Sequence, residues 1–150
     1  ATAAGTQLVA SCDLAVAGES TSFRLPGSRA GLACTTPAVA VARAVGRKRA
    51  LEMILTGAPI DAATALDWGL VNRVVPDDDV EQATIDLAAS MASGATSALG
   101  EAKRVVYNGI DATLETAGEF EAKMITKAMA TADGLEGVAA FVEKRAPEFE

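Results

Sequence analysis

The chain has 150 residues, enough for one domain with its own core. Half of its residues are hydrophobic yet only 4% are aromatic, a composition of small side chains that suits closely packed helices. Thirteen basic residues against twenty acidic ones give a net charge of −7 with no basic block, which speaks against nucleic acid as a partner, and no apolar run approaches the roughly 20 residues that cross a bilayer, which speaks against a membrane.

Residues 4–12 read as a short helix. Residues 14–17 and 21–25 read as strands parted by the turn-like Gly18-Glu19-Ser20, and Pro26-Gly27 ends the second. An irregular stretch follows before a helical pattern resumes at 38–45, breaks at Gly46, and runs over 47–55 to stop at Thr56-Gly57. Asp61 stands as the N-cap of a helix that closes at Gly69, and residues 70–75 form a strand halted by Pro76. From Asp77 onward the periodicity is helical, with segments at about 78–92, 96–108, 112–132 and 134–145. Asp133 and Glu136 have the spacing of a capping box for the last of them.

Two or three short strands do not make a stable sheet by themselves. The chain therefore reads as a C-terminal portion, a mixed α/β part over 1–76 and a helical part over 77–150, whose strands near 14–25 take their partners from upstream. There is no histidine, and Cys12 and Cys34 lack metal-ligand spacing, so zinc chemistry and His-dependent nucleophilic catalysis have no support. Both thiols read as small buried hydrophobes in a reducing compartment.

Three stretches, AAGTQLVASCDLAVAGESTSFRLPGSRAGL, AVGRKRALEMILTGAPIDAATALDWGLVNRVVP and GLEGVAAFVEKRAPEF, together resemble the C-terminal half of the crotonase superfamily, the enoyl-CoA hydratase/isomerase proteins. The resemblance runs over the whole chain apart from an irregularity at 33–38, and is most specific from Gly46 to Pro76. It implies an α/β fold, the last part of a ββα spiral core (ClpP/crotonase type) over 1–76, followed by a helical trimerisation region over 77–150. It also implies an acyl-CoA thioester as substrate, coenzyme A entering as part of that substrate and not as a separate cofactor. The expected partners are the N-terminal half of the same protein and two or five further copies, in a trimer or hexamer. The expected location is the cytoplasm, or the mitochondrion in a eukaryote.

By the same resemblance, the helix over 4–12 is the one whose first backbone N–H polarises the thioester carbonyl, and Ala4 falls at the donor position. A helix N-terminus suits that task because it offers an unpaired N–H and the positive end of the dipole where an enolate oxygen gains charge. The two glutamates that family hydratases use to add water fall at Gln7 and Gly27. Glutamine hydrogen-bonds water but does not take its proton at neutral pH, and glycine does neither. No carboxylate replaces them among the neighbouring Arg24, Ser28, Arg29, Thr35 and Thr36, and Asp13 reads as structural. Lys144 falls where resembled hydratases place a lysine on CoA phosphate, a task suited to a flexible point charge. Ile125, where the family often has an aromatic near adenine, reads as helix core. The resemblance thus implies enolate stabilisation of the lyase or isomerase type with two-glutamate hydration impaired, or a catalytically silent acyl-CoA-binding or structural protein of the same fold.

Overall fold

The short strands find partners inside the chain, contrary to the expectation that all of these lie upstream. The computed structural model describes residues 1–149. Strand β1 (Val16–Gly18) runs parallel to β4 (Arg73–Val75), with Val16 opposite Arg73 and Gly18 opposite Val75. Strand β2 (Ser22–Phe23) pairs antiparallel with β3 (Ile60–Asp61), a two-residue element too short to show any periodicity in sequence. The fourth strand is three residues shorter at its start than the alternation over 70–75 suggests. Asn72 explains the difference: its N–H donates to the Ala15 carbonyl and its side-chain oxygen accepts from the Ala15 N–H, both at 2.8 Å, so the chain enters the ladder only afterwards. Leu70 and Val71 go instead into the core, 4% and 3% exposed.

Helix α1 (Ala4–Ser11) packs on α2 (Thr35–Val45), and α2 on α3 (Arg47–Thr56). The second helix starts inside the stretch read as irregular. Pro37 sits in its first turn, where the missing N–H has no intrahelical partner to lose. Gly46, with φ of 82°, makes the break between α2 and α3 that a residue with a Cβ would strain to make. Phe23, Leu25, Val41 and Met53 are all at most 2% exposed and centre the core, each contributing roughly 1.5–3 kcal/mol by burial. Helix α4 (Ala62–Trp68) is bounded as read from sequence: Asp61 Oδ1 accepts the Thr64 N–H at 2.8 Å, and Gly69 closes the helix at φ 80°.

The chain divides into two units between Asp86 and Leu87, inside helix α5 (Val80–Ala92) and ten residues beyond the boundary read at Pro76. In the second unit α6 (Thr96–Gly109) packs on α7 (Leu114–Met129), and α7 on α8 (Ala132–Glu143). The capping-box reading of Asp133 and Glu136 is corrected. Thr131 caps α8 by accepting the Gly134 N–H at 3.0 Å, which places Asp133 inside the first turn. Glu136 turns to Arg145, 2.5 Å from its Nη1. Ala140 is the only fully buried hydrophobic residue among those described in this unit. Ile125, read as core, is 59% exposed, because the three helices close on a different face of α7.

Candidate active site

The start of α1 is stitched to the segment that leads into the Pro-Gly turn. Thr2 and Arg24 form an isolated parallel bridge, the Ala3 N–H donates to the Arg24 carbonyl at 3.0 Å, and the Arg24 N–H donates to the Ala1 carbonyl at 3.2 Å. The Thr6 hydroxyl, fully buried, donates to the same Arg24 carbonyl at 3.3 Å. Arg24 itself reaches back with Nε to Thr2 Oγ1, at 3.2 Å. The geometry thus holds the first turn of α1 beside a strand end that stands three residues before Gly27.

The first turn is where the helix has amides to offer. The Gly5 N–H donates to the Thr2 carbonyl and the Gln7 N–H to the Ala3 carbonyl, while the Ala4 N–H meets no acceptor among the described residues, and Ala4 is exposed. Ala3, the residue before the helix, has φ 50° and ψ −110°, a region that L-residues with a Cβ avoid. The helix is entered through a strained residue, and no side-chain cap covers its free amide. Sequence reading missed Ala3; the only signal for it was an alanine pair where the resembled family has glycines.

Gln7 is half-buried on α1, its carbonyl accepting the Ser11 hydroxyl at 2.8 Å, and its side-chain amide has no partner among the described residues. Gly27 lies in a 3-10 turn (Pro26–Ala30) packed on α3, where Ser28 Oγ donates to the Ile54 carbonyl and Arg29 Nε to the Thr56 carbonyl, both at 2.9 Å. Ser28 and Arg29, two of the five neighbours weighed in place of the missing acid, are thereby engaged in holding the turn.

Cys34 packs against the core but is less buried than the sequence reading had it. Its Sγ accepts the Gly27 N–H at 3.2 Å and donates to the Leu25 carbonyl at 3.5 Å, and the side chain is half-buried. A Cβ built on Gly27 would stand 2.5 Å from that sulfur and 3.1 Å from the Leu32 carbonyl oxygen. The thiol occupies the space through which a side chain at position 27 would leave the backbone. Cys12 is exposed at the end of α1, also contrary to the reading of both thiols as buried.

A cavity of about 410 Å³ in the first unit is lined by β1, Val9, Phe23, Val71 and Asp77, and none of Ala4, Gln7 or Gly27 borders it. Asp77 holds the adjacent turn by accepting the Ser20 N–H at 3.0 Å, and hydrogen bonding to Ser20, its side chain first and its amide second, keeps the carboxyl below the usual carboxylate range. Lys144 belongs to the second unit, where it ends α8 in the left-handed conformation with φ 56° and enters no ion pair among the described residues.

The family model for enoyl-CoA hydratase/isomerase matches residues 1–150. The chain belongs to the enoyl-CoA hydratase/isomerase family. Its backbone is similar to the crystal structure of human enoyl coenzyme A hydratase domain-containing protein 3, with a TM-score of 0.94 and 45% identity, covering 99% of this chain and 59% of that one. It is likewise similar to an enoyl-CoA hydratase of Mycobacterium smegmatis, with a TM-score of 0.96 and 41% identity over 99% of this chain and 58% of that one. In sequence it is 46% identical over 147 residues to the mouse enoyl-CoA hydratase domain-containing protein 3, named as mitochondrial, covering 98% of this chain and 49% of that protein. The crotonase fold expected from the sequence is therefore present. The chain spans about half the length of the curated relatives it matches. Within the enoyl-CoA hydratase/isomerase family, Ala4 and its free amide stand at the head of the helix, and Gln7 and Gly27 stand where glutamates were expected.

Proposed function

We propose that the complete protein binds acyl-CoA thioesters and stabilises an enolate oxygen with the Ala4 N–H at the head of α1. The observation that carries this reading is that amide: exposed, without an acceptor among the described residues, and held on a strained turn anchored to Arg24. Coenzyme A arrives as part of the substrate, and Lys144 supplies a charge for its phosphates. The second unit assembles the protein into a trimer or hexamer, and the mitochondrion is its compartment in a eukaryote, in keeping with the name of the mouse relative.

Two-glutamate hydration is impaired in this reading. A positioned acid or base is worth about 10²–10⁴ in rate, and both positions lack a carboxylate. Crotonyl-CoA hydration, followed as loss of the enoyl thioester absorbance, is expected to run several orders of magnitude below that of two-glutamate relatives. Turnover on the order of 10 s⁻¹ or faster would overturn the expectation. Calorimetric titration with short- and medium-chain acyl-CoAs is expected to show binding that Lys144→Ala and added salt both weaken. No binding at millimolar ligand would remove the acyl-CoA reading altogether.

A second reading, an acyl-CoA binder without turnover, is favoured by one specific feature: the Cys34 thiol fills the exit of a side chain at position 27. Binding without conversion of enoyl, isomerisable or hydrolysable thioesters would select it.

A further inference from the structure

The hydroxyls of Ser11, Thr56, Thr84 and Thr126 each donate to the carbonyl four residues back on their own helix, at 2.6–2.8 Å. That is a common outlet for a hydroxyl inside a helix. Thr6 departs from it. The carbonyl four residues back, on Thr2, already accepts the Gly5 N–H at 2.9 Å. The Thr6 hydroxyl leaves α1 altogether and donates at 3.3 Å to the Arg24 carbonyl, eighteen residues on. Thr6 is also the one buried polar residue among those described, 0% exposed. Burial makes the partner matter, because a hydroxyl kept from water without an acceptor is costly.

The Arg24 carbonyl thus holds α1 through two donors, the Ala3 N–H and the Thr6 hydroxyl, and Ala4 lies between them in the chain. Ala3 stands at φ 50° and ψ −110°. The peptide that follows it is planar, so rotation about the Ala3 ψ swings the Ala4 N–H as one piece with the Ala3 carbonyl. That carbonyl accepts the Gln7 N–H at 3.0 Å, which couples the peptide to the turn carrying Thr6. A strained backbone of this kind persists only where its surroundings over-determine it. We infer that Thr6 is a positioning residue: its buried hydroxyl keeps the Ala3–Ala4 peptide from relaxing and so fixes the direction of the free Ala4 N–H. The inference rests on the proposed role of that amide at a thioester carbonyl and names what aims it. Aim matters because a preorganised donor stabilises developing charge without reorganising as the charge appears.

Removing the hydroxyl at constant shape tests it. Thr6→Val exchanges the hydroxyl for a methyl, and the Arg24 carbonyl keeps the Ala3 N–H, so the variant is expected to fold. The readout is the infrared band of the thioester carbonyl in butyryl-CoA, isotope-labelled at that carbonyl and saturating the complete protein. In the parent the band is expected to move to lower frequency on binding, as polarisation by an aimed amide requires. Thr6→Val is expected to lose about half of that shift or more. Thr6→Ser, which restores the hydroxyl, is expected to keep it. Circular dichroism checks the folding of each variant, and Thr6→Ala supplies a second hydroxyl-free form if Thr6→Val does not fold. An undiminished shift without the hydroxyl would overturn the inference and leave the Ala4 reading standing. So would a loss in Thr6→Ser as large as in Thr6→Val, since the hydroxyl would not then be what aims the amide. No shift in the parent would overturn the Ala4 reading and this inference with it.

Discussion

Ala3 and Gly27 show how single positions around the candidate site are constrained by different forces. At Ala3 the constraint is conformational. A residue with a Cβ held at φ 50° and ψ −110° stores of order 1–3 kcal/mol, and glycine, which adopts that region freely, costs about 0.4–1 kcal/mol of unfolded-chain entropy in exchange. Ala3→Gly is therefore expected to raise stability by roughly 1 kcal/mol in chemical denaturation; a loss of stability would show that the strain is absent. At Gly27 the constraint is space, since its φ is not among the left-handed ones. Gly27→Glu alone must push aside Cys34 Sγ and is expected to cost about 1–3 kcal/mol. Gly27→Glu with Cys34→Ala is expected to recover most of that loss, because the sulfur is the nearest obstacle. If the double variant is no more stable than the single, the Leu32 carbonyl is the limiting contact instead.

Among the elements, the ends of α8 are held by side chains that make distinct claims on stability. Thr131 accepts the Gly134 N–H, and Thr131→Ala is expected to cost about 1 kcal/mol, read as a lower denaturation midpoint. At the other end Arg145 donates to both oxygens of Glu136, at 2.5 and 2.8 Å, while the Glu148 N–H donates to Oε1 at 2.9 Å. Together these hold the Glu136 carboxyl at about 2, against an ordinary value of 4.5, with the Arg145 hydrogen bonds the first cause and the Glu148 amide the second. A depressed folded-state value means stability that is complete above the unfolded value and lost as pH falls through the folded one. The difference in melting temperature between the parent and Glu136→Gln is thus expected to be constant above pH 5, to shrink between about pH 4.5 and 2, and to vanish below. Both side chains are partly exposed, so the difference is small and falls further with salt. A difference that grew on acidification would contradict the pairing.

On the scale of the molecule, the second unit leaves uncovered the apolar surface its helices carry. Leu114 is 90% exposed, Phe141 84% and Val142 73%, and helices of this kind hide such faces against other chain. Phe141→Asp is expected to lower the association state of the complete protein in light scattering while leaving its helical content intact, because the unit itself buries almost none of that ring. Loss of helix without loss of association would place Phe141 in the unit's own folding. The first unit also exposes apolar side chains, Leu8, Leu32 and Leu55 among them, but it has a core of its own around Phe23, Leu25, Val41 and Met53, and Leu25→Ala is expected to cost about 2–5 kcal/mol.

Local chemistry was enough to read the helices, the Asp61 cap, the Gly57 and Gly69 stops and the family itself, because caps, periodicity and motif spacing act within a few residues of one another. Ala4, Gln7, Gly27 and Lys144 were singled out only through the stretches that carry the family resemblance. What depended on contacts far apart in sequence was not. β1 finds β4 across more than fifty residues, and the two-residue β3 exists only because β2 lies beside it. The Cys34 thiol reaches the Gly27 amide across an irregular loop that has no periodicity to announce its path. The strain at Ala3 comes from tying the α1 entry to Arg24, and no property of alanine foretells it. Sequence by itself determined which segments are helical and which family the chain belongs to. Tertiary structure decided which amide stays free, which space is filled and which apolar faces stay open, since each depends on where distant backbone comes to rest.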